Sequence, residues 1–91
     1  MELDKLIHAP ARLAIMTQLM VVDEADATWL HGQTGLSWGN LATHVRKLEE
    51  AAYLEVKKEF SERKPRTVFR LTAEGRAAYA EYRRKILDLL E

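Results

Sequence analysis

Four cations lie close together between positions 63 and 70 of this 91-residue chain, and no acidic residue interrupts them. They are Arg63, Lys64, Arg66 and Arg70. The chain has 14 basic and 14 acidic residues, so it is neutral overall but locally basic. Lysine and arginine bind phosphate oxygens. We find no Cys/His or Ser/His/Asp set, no glycine-rich phosphate loop and no carboxylate pair suited to catalysis. The sequence therefore favours binding chemistry and predicts no enzyme.

Metal, cofactor and membrane chemistry are not predicted either. The chain has no cysteine, which excludes disulfides and thiolate metal sites. His8 and His31 stand alone in the sequence, so we expect neither a metal site nor a cofactor. No segment approaches the ~18 apolar residues of a membrane span, and the first residues do not resemble a signal peptide. We expect a cytoplasmic protein without a membrane partner.

A second group of binding side chains is spaced along one predicted helix. Leu41, Val45 and Leu48 recur at i, i+4 and i+7, so they form a narrow inward stripe. Ser37 is a suitable N-cap, and the helix is expected over about 37–51. The outward side then carries residues that could hydrogen-bond to bases or bind phosphates. Together with the capping residue and those at the edge of this side, the predicted nucleic-acid-binding residues of the helix are Ser37, Trp38, Gly39, Asn40, Thr43, His44, Arg46 and Lys47.

The neighbouring segments predict the elements that position this helix. Pro10 starts a helix over about 10–22, and Asp26 caps a short helix that ends before Gly35. Two short helices separated by a turn with glycine indicate a helix-turn-helix. Leu54, Val56 and Phe60 then alternate with charged residues, which predicts a strand with one buried and one solvent-exposed face. This strand begins a predicted hairpin over about 54–71, with a polar turn over 61–65, and Thr72 caps a last helix over about 73–90. The expected fold is one mainly α domain over 1–91, with a small β-hairpin wing.

Several stretches in this order resemble the stand-alone winged-helix regulators of the MarR and ArsR type. They are Thr34-Gly35-Leu36-Ser37, Asn40-Leu41, the segment 44–51, Lys64-Pro65-Arg66-Thr67 and the segment 70–75. The resemblance covers roughly residues 6–82. It implies a homodimer whose third helix enters the major groove of DNA, while the wing lies along the flanking backbone. Trp38, Ala42 and Ala52 depart from the family pattern, since a small or polar residue, a serine and a glycine are more usual there.

The resemblance and the charge pattern together predict which residues bind DNA through the wing and which form the subunit interface. The wing cations Arg63, Lys64 and Arg66 are expected on the DNA backbone or in a narrow minor groove. The first helix is apolar all round, and the apolar residues of the last helix span about half its circumference, which predicts a subunit interface. The expected interface residues are Leu13, Met16, Met20, Tyr79, Tyr82, Ile86, Leu89 and Leu90.

The predicted function is sequence-specific binding of double-stranded DNA by a homodimeric transcriptional regulator. One alternative is a protein-interaction winged helix, in which Trp38 and the hairpin dock a protein. Another is a ligand-responsive regulator with a pocket for a small-molecule effector at the dimer interface. Trp38 itself has three interpretations, since its ring could contact DNA, pack against the wing or fill a partner's pocket. His44 is expected to be a structural or phosphate-contacting residue.

Overall fold

The computed structural model describes residues 2–91. Its elements are α1 (Pro10–Met20), β1 (Ala25–Asp26), α2 (Ala27–Thr34), α3 (Trp38–Glu50), β2 (Leu54–Ser61), β3 (Lys64–Leu71) and α4 (Ala73–Leu90). The strands form one antiparallel sheet in the order β1-β3-β2. This architecture confirms the predicted winged helix-turn-helix. None of the helices within residues 2–91 has the length and apolar character needed to cross a membrane.

The helix-turn-helix is delimited by the residues that the sequence indicates. The Asp26 carboxylate accepts the Trp29 backbone N–H at 2.8 Å and caps α2. Gly35 ends that helix in the left-handed conformation, with φ of 68°, which glycine adopts without steric cost. The Ser37 hydroxyl accepts the Asn40 N–H at 3.1 Å and caps α3. These predictions are confirmed because each depends on groups within one turn of chain.

The apolar side chains of α1 are largely buried within the single chain, without a partner subunit. Ile15, Met16 and Leu19 are buried together with the inward stripe of α3, and Ile7 from the preceding segment is also fully buried. Met16, a predicted interface residue, is thus fully buried in the core of the single chain, where its side chain is not exposed to a partner. Tyr82, also a predicted interface residue, is 6% exposed and belongs to the same core.

Hydrogen bonds of Asp4 hold the segment before α1 in place. The Asp4 carboxylate accepts the backbone N–H groups of Leu6 and Ile7 at 2.9 and 3.2 Å. Its second oxygen accepts the Tyr53 hydroxyl at 2.6 Å. This hydrogen bond, with burial as the next cause, raises the pKa of Tyr53 to about 12, so the phenol remains protonated at neutral pH. The segment therefore completes the core that the sequence argument assigned to a second copy.

The hairpin has the predicted bounds, but its strands reach further and its turn is tighter than expected. β2 continues to Ser61 and β3 starts at Lys64, so the turn lies within the predicted segment 61–65 but is narrower. Only Glu62 and Arg63 form the turn, with φ of 53° and 67°. Positive φ at both positions gives the twist that two-residue hairpins favour. β1, which the sequence indicated only as a polar break, pairs with β3 at Ala25 and Asp26.

Candidate nucleic-acid interface

The outward side of α3 is a free surface. Leu41, Val45 and Leu48 are buried, whereas the six outward positions are exposed: Trp38, Gly39, Asn40, Thr43, Arg46 and Lys47. The hydroxyl of Thr43 donates to the Gly39 carbonyl at 3.0 Å. Within residues 2–91, the side chains of Asn40, Arg46 and Lys47 form no hydrogen bond or salt bridge, so their polar groups are available to a ligand.

Trp38 stacks on His31 of α2. The two ring centroids lie 3.9 Å apart and the ring planes differ by 4°. The indole is nevertheless 54% exposed. Of the three interpretations, packing against the wing is not observed; one face of the ring packs within the helix-turn-helix and the rest is open at the start of α3. His31 had no functional interpretation in the sequence, because only the folded chain brings it beneath Trp38.

His44 lies at the rim of this surface and turns toward α1. Its Nδ1 atom accepts a hydrogen bond from the Arg12 guanidinium at 3.1 Å, and Arg12 Nε donates to the Leu6 carbonyl at 2.5 Å. Partial burial, followed by the charges of Arg12 and Lys47, lowers the pKa of His44 below its ordinary value of 6.5. His44 therefore favours the neutral form, and the positive charge at this edge comes from Arg12, which sequence reasoning missed.

The predicted wing cations have different environments. Arg63 and Lys64 are exposed at the tip and form no salt bridge among the residues that the structure describes. Arg66 lies 3.1 Å from a Glu59 carboxylate oxygen and 3.5 Å from Asp26. These contacts follow from the strand register, which pairs Arg66 with Glu59. Arg66 thus links the wing to the start of α2, while Arg63 and Lys64 remain open.

Phe60 is the large apolar residue that sequence reasoning placed incorrectly. The alternation of Leu54, Val56 and Phe60 predicted one buried face for β2. Leu54 is 2% exposed, but Phe60 is 79% exposed, because the hairpin extends beyond the core. The long hairpin signalled by the sequence could have indicated this exposure, since no other predicted element reaches that far.

The predicted interface residues divide into three groups. Leu89 and Leu90 are exposed, as is the neighbouring Leu87, which the prediction did not include. Met16 and Tyr82 lie in the core, as described above. The remaining residues are partly buried against that core: Leu13, Met20, Tyr79 and Ile86. The end of α4 is therefore an uncovered apolar surface on the single chain.

Comparison with known proteins places most of the chain in one group. Residues 11–90 match a family model described as a winged helix DNA-binding domain. An uncharacterized protein of Methanocaldococcus jannaschii is 31% identical over 85 residues, which cover 93% of this chain and 92% of that protein. A transcriptional regulator homologue from Pyrococcus horikoshii OT3 superposes with a TM-score of 0.82 at 28% identity, over 97% of this chain and 90% of that one. A MarR-family regulator structure from Enterococcus faecalis V583 shares the fold, with a TM-score of 0.75 at 24% identity over 85% and 69% of the two chains.

Proposed function

The chain belongs to the winged helix DNA-binding domain family, and from this premise we propose that it is a homodimeric transcriptional regulator that binds double-stranded DNA sequence-specifically. The exposed face of α3 carries the proposal. An amide at Asn40 and cations at Arg46 and Lys47 lie on that face without intramolecular partners in the described chain. The face combines a group that can read a base edge with groups that bind phosphates.

The docking follows from where these groups lie along α3. The N-terminal part of a recognition helix contacts base edges in the major groove. Asn40 lies in the first turn, where its amide can pair with an adenine, and Thr43 follows one turn later. Arg46 and Lys47 lie further along the helix and are assigned to phosphates. Arg63 and Lys64 at the wing tip are assigned to the neighbouring backbone.

Neutral overall charge is compatible with this proposal because many acids are paired away from the proposed surface. Glu55 pairs with Arg70 at 3.0 Å, and Glu81 pairs with Arg84 at 2.6 Å. Asp88 also contacts Arg84, at 3.0 Å. These pairs lie outside α3 and the wing tip, so their charges are locally compensated. The proposed surface carries four cations without salt bridges among the described residues, Arg46, Lys47, Arg63 and Lys64, beside the acids Glu49, Glu50 and Glu62.

The homodimer is proposed from the exposed end of α4. Leu87 and Leu90 are 41% and 76% exposed and, at i and i+3, form an apolar cluster on one side of α4, while Leu89, 61% exposed, lies on another side of the helix. A two-fold axis near these residues would bury the cluster against its copy, since such an interface uses the same patch on both subunits. Binding to two half-sites would require the two α3 helices to lie about one DNA turn apart, roughly 34–36 Å, and would imply a palindromic site.

Salt-dependent DNA titration tests the proposed function. Selection from a random duplex pool would first identify a bound sequence, which is then titrated at two salt concentrations. We expect steep weakening with salt, because each neutralised phosphate contributes about 0.9 to the slope of log K against log salt. The Arg63→Ala/Lys64→Ala variant should reduce that slope by about 1.8 if both cations contact phosphate.

The matched control removes two other cations from the same hairpin. Lys57 and Arg70 are paired with Glu59 and Glu55, so Lys57→Ala/Arg70→Ala should change the slope much less. Equal effects of the two double variants would show only a general charge effect and would contradict the wing contact. If binding to DNA did not depend on salt, or if the selection returned no duplex, the result would instead favour the protein-interaction alternative.

A further inference from the structure

The hairpin has two chemically different faces. Side chains alternate along a strand, so Leu54, Val56, Lys58 and Phe60 share one face of β2. The first two pack in the core opposite Leu71 and Phe69, whereas the last two pair with Thr67 and Pro65 beyond it. Phe60 and Pro65 are both exposed. The face that is the core wall at the base of the hairpin therefore becomes an apolar surface near its tip.

On the opposite face of the hairpin, most charged side chains form ion pairs with one another. Glu55 pairs with Arg70 at 3.0 Å, Glu59 pairs with Arg66 at 3.1 Å, and Lys57 lies 3.4 Å from Glu59. These ion pairs neutralise charges on that side of the hairpin. It offers no exposed aromatic group, and among the described residues its one cation without a salt bridge is Lys64, near the tip.

Cations without salt bridges lie on the face that carries Phe60 and at the hairpin tip. Lys58 lies two residues before Phe60 on the same face, and Arg63 follows in the turn. Lys64 starts β3 beside the turn, where it pairs with Ser61 on the opposite face. These three form no salt bridge among the residues that the structure describes. One acid, Glu62, is also in the turn. An aromatic ring near such cations suits a minor groove, because the ring can insert between base steps while the cations meet the phosphates on either side.

We propose that Phe60, backed by Pro65, is an apolar wedge that enters the DNA minor groove beside the major groove occupied by α3. There it partly unstacks one base step and bends the duplex. Proteins that insert such wedges kink DNA by about 20–90°. The inference rests on the proposed function, since it requires that α3 and the wing bind duplex DNA.

The dimensions of the hairpin fit this placement. Phe60 lies six residues beyond Leu54, which corresponds to roughly 20 Å along an extended strand. Half a turn of DNA, the spacing from one groove to the next, is roughly 17 Å. The hairpin therefore has the reach to place Phe60 in an adjacent groove while its base remains packed on the core beside α3.

The test measures DNA bending and unstacking separately from binding. The selected duplex carries a dye at each end for energy transfer and 2-aminopurine at the flanking minor-groove steps, whose fluorescence rises on unstacking. Wild-type protein should bend the duplex and raise the fluorescence. Phe60→Ala should lose more than half of both signals, with affinity weakened less than about tenfold because the lost contacts had been offset by the cost of unstacking. Phe60→Leu should retain most of both signals.

Two controls keep the result specific. Ser61→Ala alters the next residue, which is on the opposite face, and should leave both signals unchanged. Thermal melting should show that Phe60→Ala is folded, since this side chain is 79% exposed.

The outcomes separate this proposal from the function on which it rests. Equal bending by wild type and Phe60→Ala would overturn the wedge, as would salt-dependent binding by wild type without any bend; either result leaves DNA binding intact. A loss of dimer in Phe60→Ala on sedimentation would also overturn it, since the ring would then belong to an interface between copies. Failure of wild type to bind any duplex would overturn the proposed function and the wedge together.

Discussion

Single side chains set the charge along the edge of α3. Arg12 is held between the Leu6 carbonyl and His44 Nδ1, so a cation of α1 is fixed next to the third helix. The neutral imidazole accepts its hydrogen bond, and a protonated imidazole could not do so. The position of Arg12 therefore depends on the protonation state of His44.

This dependence predicts a stability that falls on acidification. The folded-state pKa of His44 is lowered, so its contribution is fully present above the ordinary value of 6.5 and is lost as pH falls through the lower, folded value. The free energy of unfolding, measured with denaturant from neutral to mildly acidic pH, should decrease. His44→Gln cannot titrate and should show a smaller decrease over the same range. Identical pH profiles for the two proteins would contradict this assignment.

A compact junction determines how the wing leaves α3. Ala52 has a φ of 63°, in the left-handed region, between α3 and β2. The Thr72 hydroxyl donates to the Ala52 carbonyl at 2.6 Å, and the Thr72 N–H donates to the Tyr53 carbonyl at 3.1 Å. Gly75 passes so close to the Tyr53 carbonyl that a Cβ there would overlap it. The start of α4 is thus fixed against the root of the hairpin.

Substitutions at this junction should have opposite effects on stability. Ala52→Gly should raise the free energy of unfolding by about 1 kcal/mol, because glycine relieves the left-handed conformation. Ala51→Gly, at an adjacent φ of −83°, should instead lower it by roughly 0.5–1 kcal/mol. Gly75→Ala should lower it by about 1–3 kcal/mol or more, since backbone must move. Denaturant unfolding measures all three, and stabilisation by both Gly variants would show that backbone strain at Ala52 is not the cause.

The whole molecule is elongated and leaves one end uncovered. Its principal extents are 50, 25 and 21 Å. The last turn and a half of α4 carries Leu87, Leu89 and Leu90 in exposed positions. Earlier in the same helix, Tyr82 is in the core and Tyr79 is hydrogen-bonded to Thr17 at 2.9 Å. The first part of α4 therefore belongs to the chain's own fold, and only its end is free for association.

Leu87→Glu/Leu90→Glu should convert the proposed dimer to monomers. The two residues lie on one side of the helix at i and i+3, and placing charges there would require their desolvation in the interface. Their exposure predicts little change in monomer folding. Sedimentation at micromolar concentration and DNA titration should show monomers with much weaker binding. Lys5→Glu makes the same change in net charge at another exposed site and should remain dimeric; a monomeric wild type would refute the dimer.

The amino-acid sequence by itself determined the elements and their order. Asp26, Gly35, Ser37 and Thr72 act on backbone groups within a few residues, so each helix boundary that they set was predictable without coordinates. The stripe of Leu41, Val45 and Leu48 likewise gave the outward face of α3, because helical periodicity is a local property. Membership of the winged helix fold follows from these local signals in sequence.

Only the tertiary structure decided which side chains are held in intramolecular contacts and which remain available to a ligand. Arg63 and Arg66 are alike in the sequence, but a two-residue turn sets the register that pairs Arg66 with Glu59 and leaves Arg63 open. From the sequence, Met16 is compatible with a dimer interface, but in the structure it lies in the same core as Ile7. Such contacts depend on how segments distant in the chain, or joined by a turn of unknown length, meet in space. Their energies come from packing and charge pairing that no local pattern encodes.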